Sequence, residues 1–363
     1  MHRKKITITD VAKAAGVSIA TVSRVVNHVN RVEPSVAKRV REAIYTLGYV
    51  PKKPNHPNAV IALVVPSLEN PFFSLVVEGI LSRANIEGET LLVFSSEGSA
   101  VQEKKNLHWA AKLGVDGLLF CPLSDTSASL LPALFAISTP VVIIYRHDYC
   151  DFASHIYYDN EMGGYLATKY LLKAGHRQIA FFASFWGDKP SDLLNFHDRR
   201  LMGSYSSLDR LKGYQNALEE YGVTVHRELL CSTGYTYESG YAMTRHFLSS
   251  LCDFTAIICC NDSVAAGVLQ ALREQNIEVP RQVSVIGYDA SFLSDITRPS
   301  LSSVHQDPKV LGRTAFDQLQ ARRSGEGKAD VILKPNLVIK SSTGQCENKE
   351  QRPSYDGKTG QKA

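Results

Sequence analysis

Two groups of side chains in this sequence have types and spacings suited to chemistry. In the first, Ile19, Ala20, Thr21, Ser23 and Arg24 share one side of a short helical stretch, while Val22, Val25 and Val26 share the other. Hydroxyls can hold phosphate oxygens, an arginine can fork onto a guanine edge, and small apolar tips can meet a thymine methyl. This is the chemistry of reading a DNA major groove. The second group is dispersed. Asn70, Phe72, Phe73, Arg146, Arg210, Asn261, Asp289 and Gln306 supply amides, aromatic faces, forked donors and a carboxylate, with Asp159 and Asn160 in the second rank. Such a mixture grips a polyhydroxylated or heterocyclic ligand by donating to it and accepting from it.

The first group needs a compact helical frame. Thr9 reads as the cap of a first helix with Asp10 in its first turn, and Val11, Ala12 and Ala15 form its inward face. Gly16 permits the tight turn, Ser18 caps the helix that carries the reading face, and a third helix starts at Pro34, runs through Val36, Val40, Ile44 and Leu47, and stops at Gly48. Residues 1–58 hold eleven Lys or Arg against three acids, a net +8, so the rest of a chain of net +4 carries −4. A basic head suits a phosphate backbone, and an acidic body is repelled by one.

The second group needs strand ends. Apolar runs at 60–66, 90–95, 117–122, 141–146, 178–184, 256–261 and 283–289 alternate with amphipathic helical stretches, the pattern of parallel sheets covered on both faces. In such sheets ligands bind outside the carboxyl ends of the strands, where these runs carry their Asn, Asp and Arg. At 363 residues there is room for a small head and a two-lobed body. No apolar run approaches membrane-spanning length and no export signal is evident, so the expected location is the cytoplasm, without membrane contact. Seven scattered cysteines lack ligand spacing and read as free thiols, with no metal and no cofactor expected. No dinucleotide fingerprint, phosphate-binding loop or nucleophile elbow is present, and Asp262 and Asp289 lack an accompanying nucleophile; the chain is not expected to be an enzyme.

The strings DVAKAAGVS, TVSRVVN and LGYVP resemble the lactose-repressor (LacI/GalR) family of bacterial transcription regulators, and the resemblance continues to about Thr343. It implies an all-α helix-turn-helix headpiece and an α/β, periplasmic-binding-protein-like body of two Rossmann-like lobes. It further implies a homodimer on a near-palindromic operator, usually a repressor, controlled by a small-molecule effector such as a sugar, a sugar derivative or a nucleoside. Carried over by position, Ile19, Ala20 and Arg24 are the base readers, and Thr7, Ser18, Thr21, Ser23 and Asn27 the phosphate-side contacts. The dispersed group matches the set with which ribose-type binding proteins and family regulators hold ligands.

The sequence departs from that pattern in three places. Tyr145 precedes Arg146 where sugar-binding relatives usually carry an acid, which argues against a simple pentose or hexose. Residues 185–206, with Trp186, His197, Arg199 and Arg200, lengthen the connection to Arg210. In the linker VPKKPNHPNAV, Pro54 and Pro57 oppose a continuous helix and no leucine is present, so it reads as an extended tether with Lys52 and Lys53 on phosphates. The expected organisation is a head at 1–50, a linker at 51–59, and a body at 60–343. Its lobes are expected at 60–158 with 290–320, and 159–289 with 321–343, followed by a disordered tail. A solute receptor would share the body but not the basic head. A constitutive DNA binder would need the head alone.

Overall fold

The computed structural model describes residues 6–26, 32–47, 49, 59–123, 125–135, 139–184, 205–249 and 253–346. Asn27, Gly48, Lys52, Lys53, most of the linker, the stretch from 185 to 204 and the tail beyond 346 lie outside them.

The head comprises α1 (Ile8–Ala15), α2 (Ile19–Val26) and α3 (Pro34–Leu47). The cap of α1 is Thr7, upstream of the expected Thr9. Asp10 explains the shift: its carboxylate reaches back to accept from the Thr7 N–H at 2.8 Å and from the Thr7 hydroxyl at 2.6 Å. Gly16 ends the helix in the left-handed region at φ 64°, where a side chain would strain the turn. Val11, Val22, Val40 and Ile44 then close a small core among the three helices.

The body contains two six-stranded sheets. In chain order, the first lobe opens with β1 (Val60–Val65), α4 (Pro71–Glu87), β2 (Thr90–Ser95), α5 (Ala100–Leu113), β3 (Gly117–Phe120), α6 (Leu131–Leu134), β4 (Val141–Ile144) and β5 (Ser154–Tyr158). The second holds α7 (Asn160–Lys173), β6 (Ile179–Ser184), α8 (Tyr205–Glu220), β7 (Leu230–Thr233), α9 (Tyr237–Ser249), β8 (Ala256–Cys259), α10 (Asp262–Glu274), β9 (Ser284–Asp289), α11 (Leu293–Ile296) and β10 (Ser302–His305). The chain returns to the first lobe for α12 (Pro308–Arg323) and β11 (Val331–Leu333), then ends in the second with β12 (Asn336–Val338). The sheet orders are β11-β5-β4-β3-β1-β2 and β12-β10-β9-β8-β6-β7. All neighbours are parallel except β12, which runs antiparallel to β10.

This corrects the expected division of the lobes. Residues 290–306 belong to the second lobe, because β10 pairs with β9 from Ser302↔Ile286 to His305↔Asp289. Helix α12 and β11 belong to the first: Leu311, Ala315, Phe316 and Leu319 pack into its core, and Val331–Leu333 pairs with β5. The polypeptide therefore passes between the lobes three times. At these passages the Tyr158 hydroxyl donates to the Asp307 carbonyl at 3.1 Å, and the Asp159 N–H donates to the Leu333 carbonyl at 2.9 Å.

Candidate DNA-reading face and interlobe effector site

On α2, Val22 and Val26 are buried, Val25 is half-buried, and Ile19, Ala20 and Arg24 are exposed. Ile19 is an aliphatic side chain 48 % exposed on a helix that has a core available to it. The Thr21 N–H donates to the Ser18 hydroxyl at 3.1 Å, and the Ser18 and Thr21 hydroxyls lie 2.9 Å apart. Ser18 thus fixes where α2 begins and which residues face outward. Thr21 and Ser23 are half-buried on the flanks of the exposed stripe. The Thr7 hydroxyl proton is engaged by Asp10, so Thr7 anchors the start of the head.

The second site forms where the two sheets' strand ends face each other. Tyr145 follows β4 in the left-handed region at φ 75°, an unfavourable conformation for an aromatic residue that here turns its side chain toward the other lobe. Its ring packs against Phe72 and Phe73 at centroid distances of 5.2 and 5.7 Å. Its hydroxyl accepts from Arg210 Nη2, across the gap between lobes. Arg210 is buried with every guanidinium nitrogen engaged: Nε donates to Asn160 Oδ1 at 2.9 Å and Nη1 to the Cys260 carbonyl at 2.6 Å. The guanidinium also lies over the Tyr288 ring, 3.6 Å from its centroid.

The position of Arg210 is set by helix contact. A Cβ on Gly164 of α7 would strike the Arg210 carbonyl, and one on Gly213 of α8 would strike the Glu161 carbonyl, so these two glycines let α7 and α8 approach closely. A Cβ on neighbouring Gly163 would strike the Tyr288 hydroxyl.

Gln306 and Asp289 complete the buried floor. Gln306 Nε2 donates to Asn160 Oδ1 at 3.2 Å, while Gln306 Oε1 and Asp289 Oδ1 are buried and find no donor among the described residues. Burial pushes the Asp289 carboxyl well above the usual carboxylate range, partly opposed by the charge of Arg210. An interlobe cavity of about 750 Å³ is lined by residues 67–70, 95 and 97 from the first lobe, and by 235–238, 263, 266 and 293 from the second; Asn261, next to the Cys260 that bonds Arg210, joins it to this floor through the Tyr235 carbonyl. The cavity's size and its partly apolar lining suit a small ligand.

The structure brings Tyr145, Asn160, Arg210, Asp289 and Gln306 together and places Asn70 on the cavity wall. Other expected contacts have different partners. Arg146 is 2 % exposed, donates from Nη2 to Asp125 at 2.5 Å and lies over the Tyr149 ring, all within its own lobe. Phe72 and Phe73 are core residues beneath Tyr145. Asp159 caps α7, accepting from the Met162 N–H at 2.9 Å. Asn261 caps α10 through the Val264 N–H at 2.8 Å and donates to the Tyr235 carbonyl at 2.9 Å, so it holds the Tyr235 loop in place.

Sequence reasoning missed Tyr235 and Tyr288, although Tyr288 lies in the recognised run 283–289, next to Asp289. It also missed His147, whose Nε2 lies 2.8 Å from Asp209 Oδ2 on α8. Residues 145 and 147 reach across to the second lobe while 146 turns into the first. That two-residue alternation is the signal that could have paired His147 with Tyr145.

The comparisons bear on both sites. Residues 7–52 match "Bacterial regulatory proteins, lacI family", and residues 168–343 match "Periplasmic binding protein-like domain". The chain is 32 % identical to the HTH-type transcriptional regulator DegA of Bacillus subtilis over 93 % of its own length and 98 % of the relative's. It belongs to the LacI family of bacterial regulatory proteins. Another family member, the HTH-type transcriptional repressor PurR of Photobacterium profundum, is 31 % identical over the same shares of both chains. Among solved LacI-family structures, a lac repressor dimer bound to operator and the anti-inducer ONPF superimposes with a TM-score of 0.67 at 28 % identity, covering 94 % of this chain and 100 % of that one. A CelR–cellobiose complex gives 0.68 at 28 % identity, covering 93 % and 99 %. This LacI-family chain is therefore a transcriptional regulator with a helix-turn-helix head and an effector-binding body.

Proposed function

We propose that this regulator represses transcription by binding a near-palindromic operator as a homodimer, and that a small sugar-like or nucleoside effector between the lobes changes its affinity for DNA. The exposed stripe of Ile19, Ala20 and Arg24 on a helix whose opposite face is core carries the reading. In it, Ile19, Ala20 and Arg24 touch base edges, while Ser18, Thr21, Ser23 and Asn27 hold phosphates with help from Lys52 and Lys53. Tyr145, Arg210, Asp289 and Gln306 meet the effector, and Asn261 and Asn160 position them. Arg146 and Asp159 support the cleft rather than touch the ligand. The protein acts in the cytoplasm and performs no catalysis.

The kinship with a lac repressor dimer on its operator, a CelR–cellobiose complex and a ribose operon repressor supports this reading. The mechanism is linkage. A ligand that prefers one arrangement of the lobes shifts the dimer toward the head spacing of that arrangement, and DNA reciprocally changes ligand affinity. A mobility-shift titration of selected and scrambled duplexes tests it. Arg24→Ala is expected to weaken the selected duplex by about ten- to a hundred-fold, the worth of one forked base contact, and scrambled DNA far less. Equal binding of both duplexes by the unaltered protein would refute the reading.

A further inference from the structure

We propose that Tyr145 is the specificity-determining residue of the effector cleft, and that the cleft selects polyols rich in hydrogen-bond donors and free of negative charge, with a protonated amine favoured. This rests on the reading of the cleft as the effector site.

Three observations carry it. Each nitrogen of Arg210 already has a protein partner, and the one facing the first lobe is taken by the Tyr145 hydroxyl. A carboxylate or phosphate ligand would have to displace that phenol to reach the buried cation. The phenol is held by its left-handed backbone and by Phe72 and Phe73. Second, the polar atoms of the cleft floor that lack a partner among the described residues are both acceptors: Asp289 Oδ1, on a residue 6 % exposed, and Gln306 Oε1, on a residue 0 % exposed. A ligand that donates satisfies them, whereas an anion adds another acceptor. Third, among the described residues the cavity wall carries Glu69, Glu97 and Glu238 and no Lys, Arg or His, and none of these three acids is in an ion pair with another described residue. These acids come from both lobes, so the described wall is negative on both sides. Burial of Asp289 adds to the case, because an ammonium group beside it would offset the cost of its charge.

Calorimetric titration of the full chain with cellobiose alongside its amino and its aldonic-acid counterparts tests the assignment. The amino and neutral members are expected to bind about tenfold or more tighter than the acids, with the amine at least equal to the neutral sugar. Tyr145→Phe frees Arg210 Nη2 and is expected to improve acid binding by about tenfold relative to the neutral sugar. A merely structural role would weaken all members together. Glu97→Gln with Glu238→Gln should remove the advantage of the amine over the neutral sugar. Acids binding as tightly as neutral sugars, or an unchanged acid-to-neutral ratio in Tyr145→Phe, would overturn the proposal while leaving the effector site standing. Binding by no member would overturn it as well. The wider reading fails separately, if no ligand in a general screen alters operator affinity.

Discussion

His147 and His155 lie eight residues apart and respond to acid in opposite directions. The hydrogen bond from His147 to Asp209, helped by the charges of Asp209 and Asp148 and opposed by burial, holds its pKa above the usual 6.5. A raised histidine pKa means that the folded, cross-lobe arrangement binds the proton more tightly than the unfolded chain. Its contribution is therefore complete below 6.5 and is lost as pH rises through the raised value. His155 is lowered by burial, with Asp330 only partly compensating. Its Nε2 faces the N–H groups of Tyr149 and Cys150 at 3.2 and 3.4 Å, so Nδ1 must carry the proton toward Asp330 at 3.0 Å. Its contribution is present above 6.5 and is lost as pH falls through the lowered value. Effector affinity is expected to decline as pH rises above neutrality, and His147→Gln should flatten that decline. Titrations across pH 6 to about 9 check this, and an equally steep decline in His147→Gln would exclude the pair as its source.

Among the secondary-structure elements, α7 and α8 set the position of the ligand-facing arginine, while the corresponding glycine contact between α4 and α12 serves the first lobe alone. There, a Cβ on Gly312 would strike the Val76 carbonyl and one on Gly79 the Lys309 carbonyl. Both Gly164→Ala and Gly312→Ala should cost about 1–3 kcal/mol through overpacking, lowering the melting temperature by several degrees. Gly164→Ala alone should weaken effector binding, because it displaces the Arg210 backbone; equal weakening by both would argue against this division of roles. Much of this layer is legible in the residues. The run VIALVVP gives β1, AIICCN gives β8, and the capping pattern gives the head helices to within a residue or two. The lobe assignment is not legible beyond β9. Strand β10 reads SSVH, and β11 and β12 have three residues each, too few to display a period of two or an unbroken apolar run. Their sheet membership is decided by long-range pairing. The individual site residues divide similarly. The end of β9 locates Asp289, and the family resemblance locates Arg210, which lies within α8, but whether an asparagine such as Asn261 contacts ligand or caps a helix depends on contacts distant in sequence.

At the scale of the whole molecule, the head and body are coupled through a linker whose sequence opposes a continuous helix and supplies no leucine to wedge between base steps. The expected consequence is a nearly straight operator and tolerance of varied half-site spacing. Circular-permutation gel assays measure the bend; a strong central kink would show that another side chain does the wedging. Effector and operator remain linked by mass balance whatever the path of coupling, so any ligand that loosens DNA must itself be loosened by DNA to the same degree.

The three passages of the chain between the lobes, near residues 159, 306 and 335, also constrain how this gene can be cut or rebuilt. Neither half of the body is a contiguous reading frame. A premature stop after β10 would strip the first sheet of its edge strand and covering helix, and the second of its antiparallel border. A shortened transcript should therefore yield no independently stable half, and domain-swapped chimeras with other family members need three matched junctions rather than one.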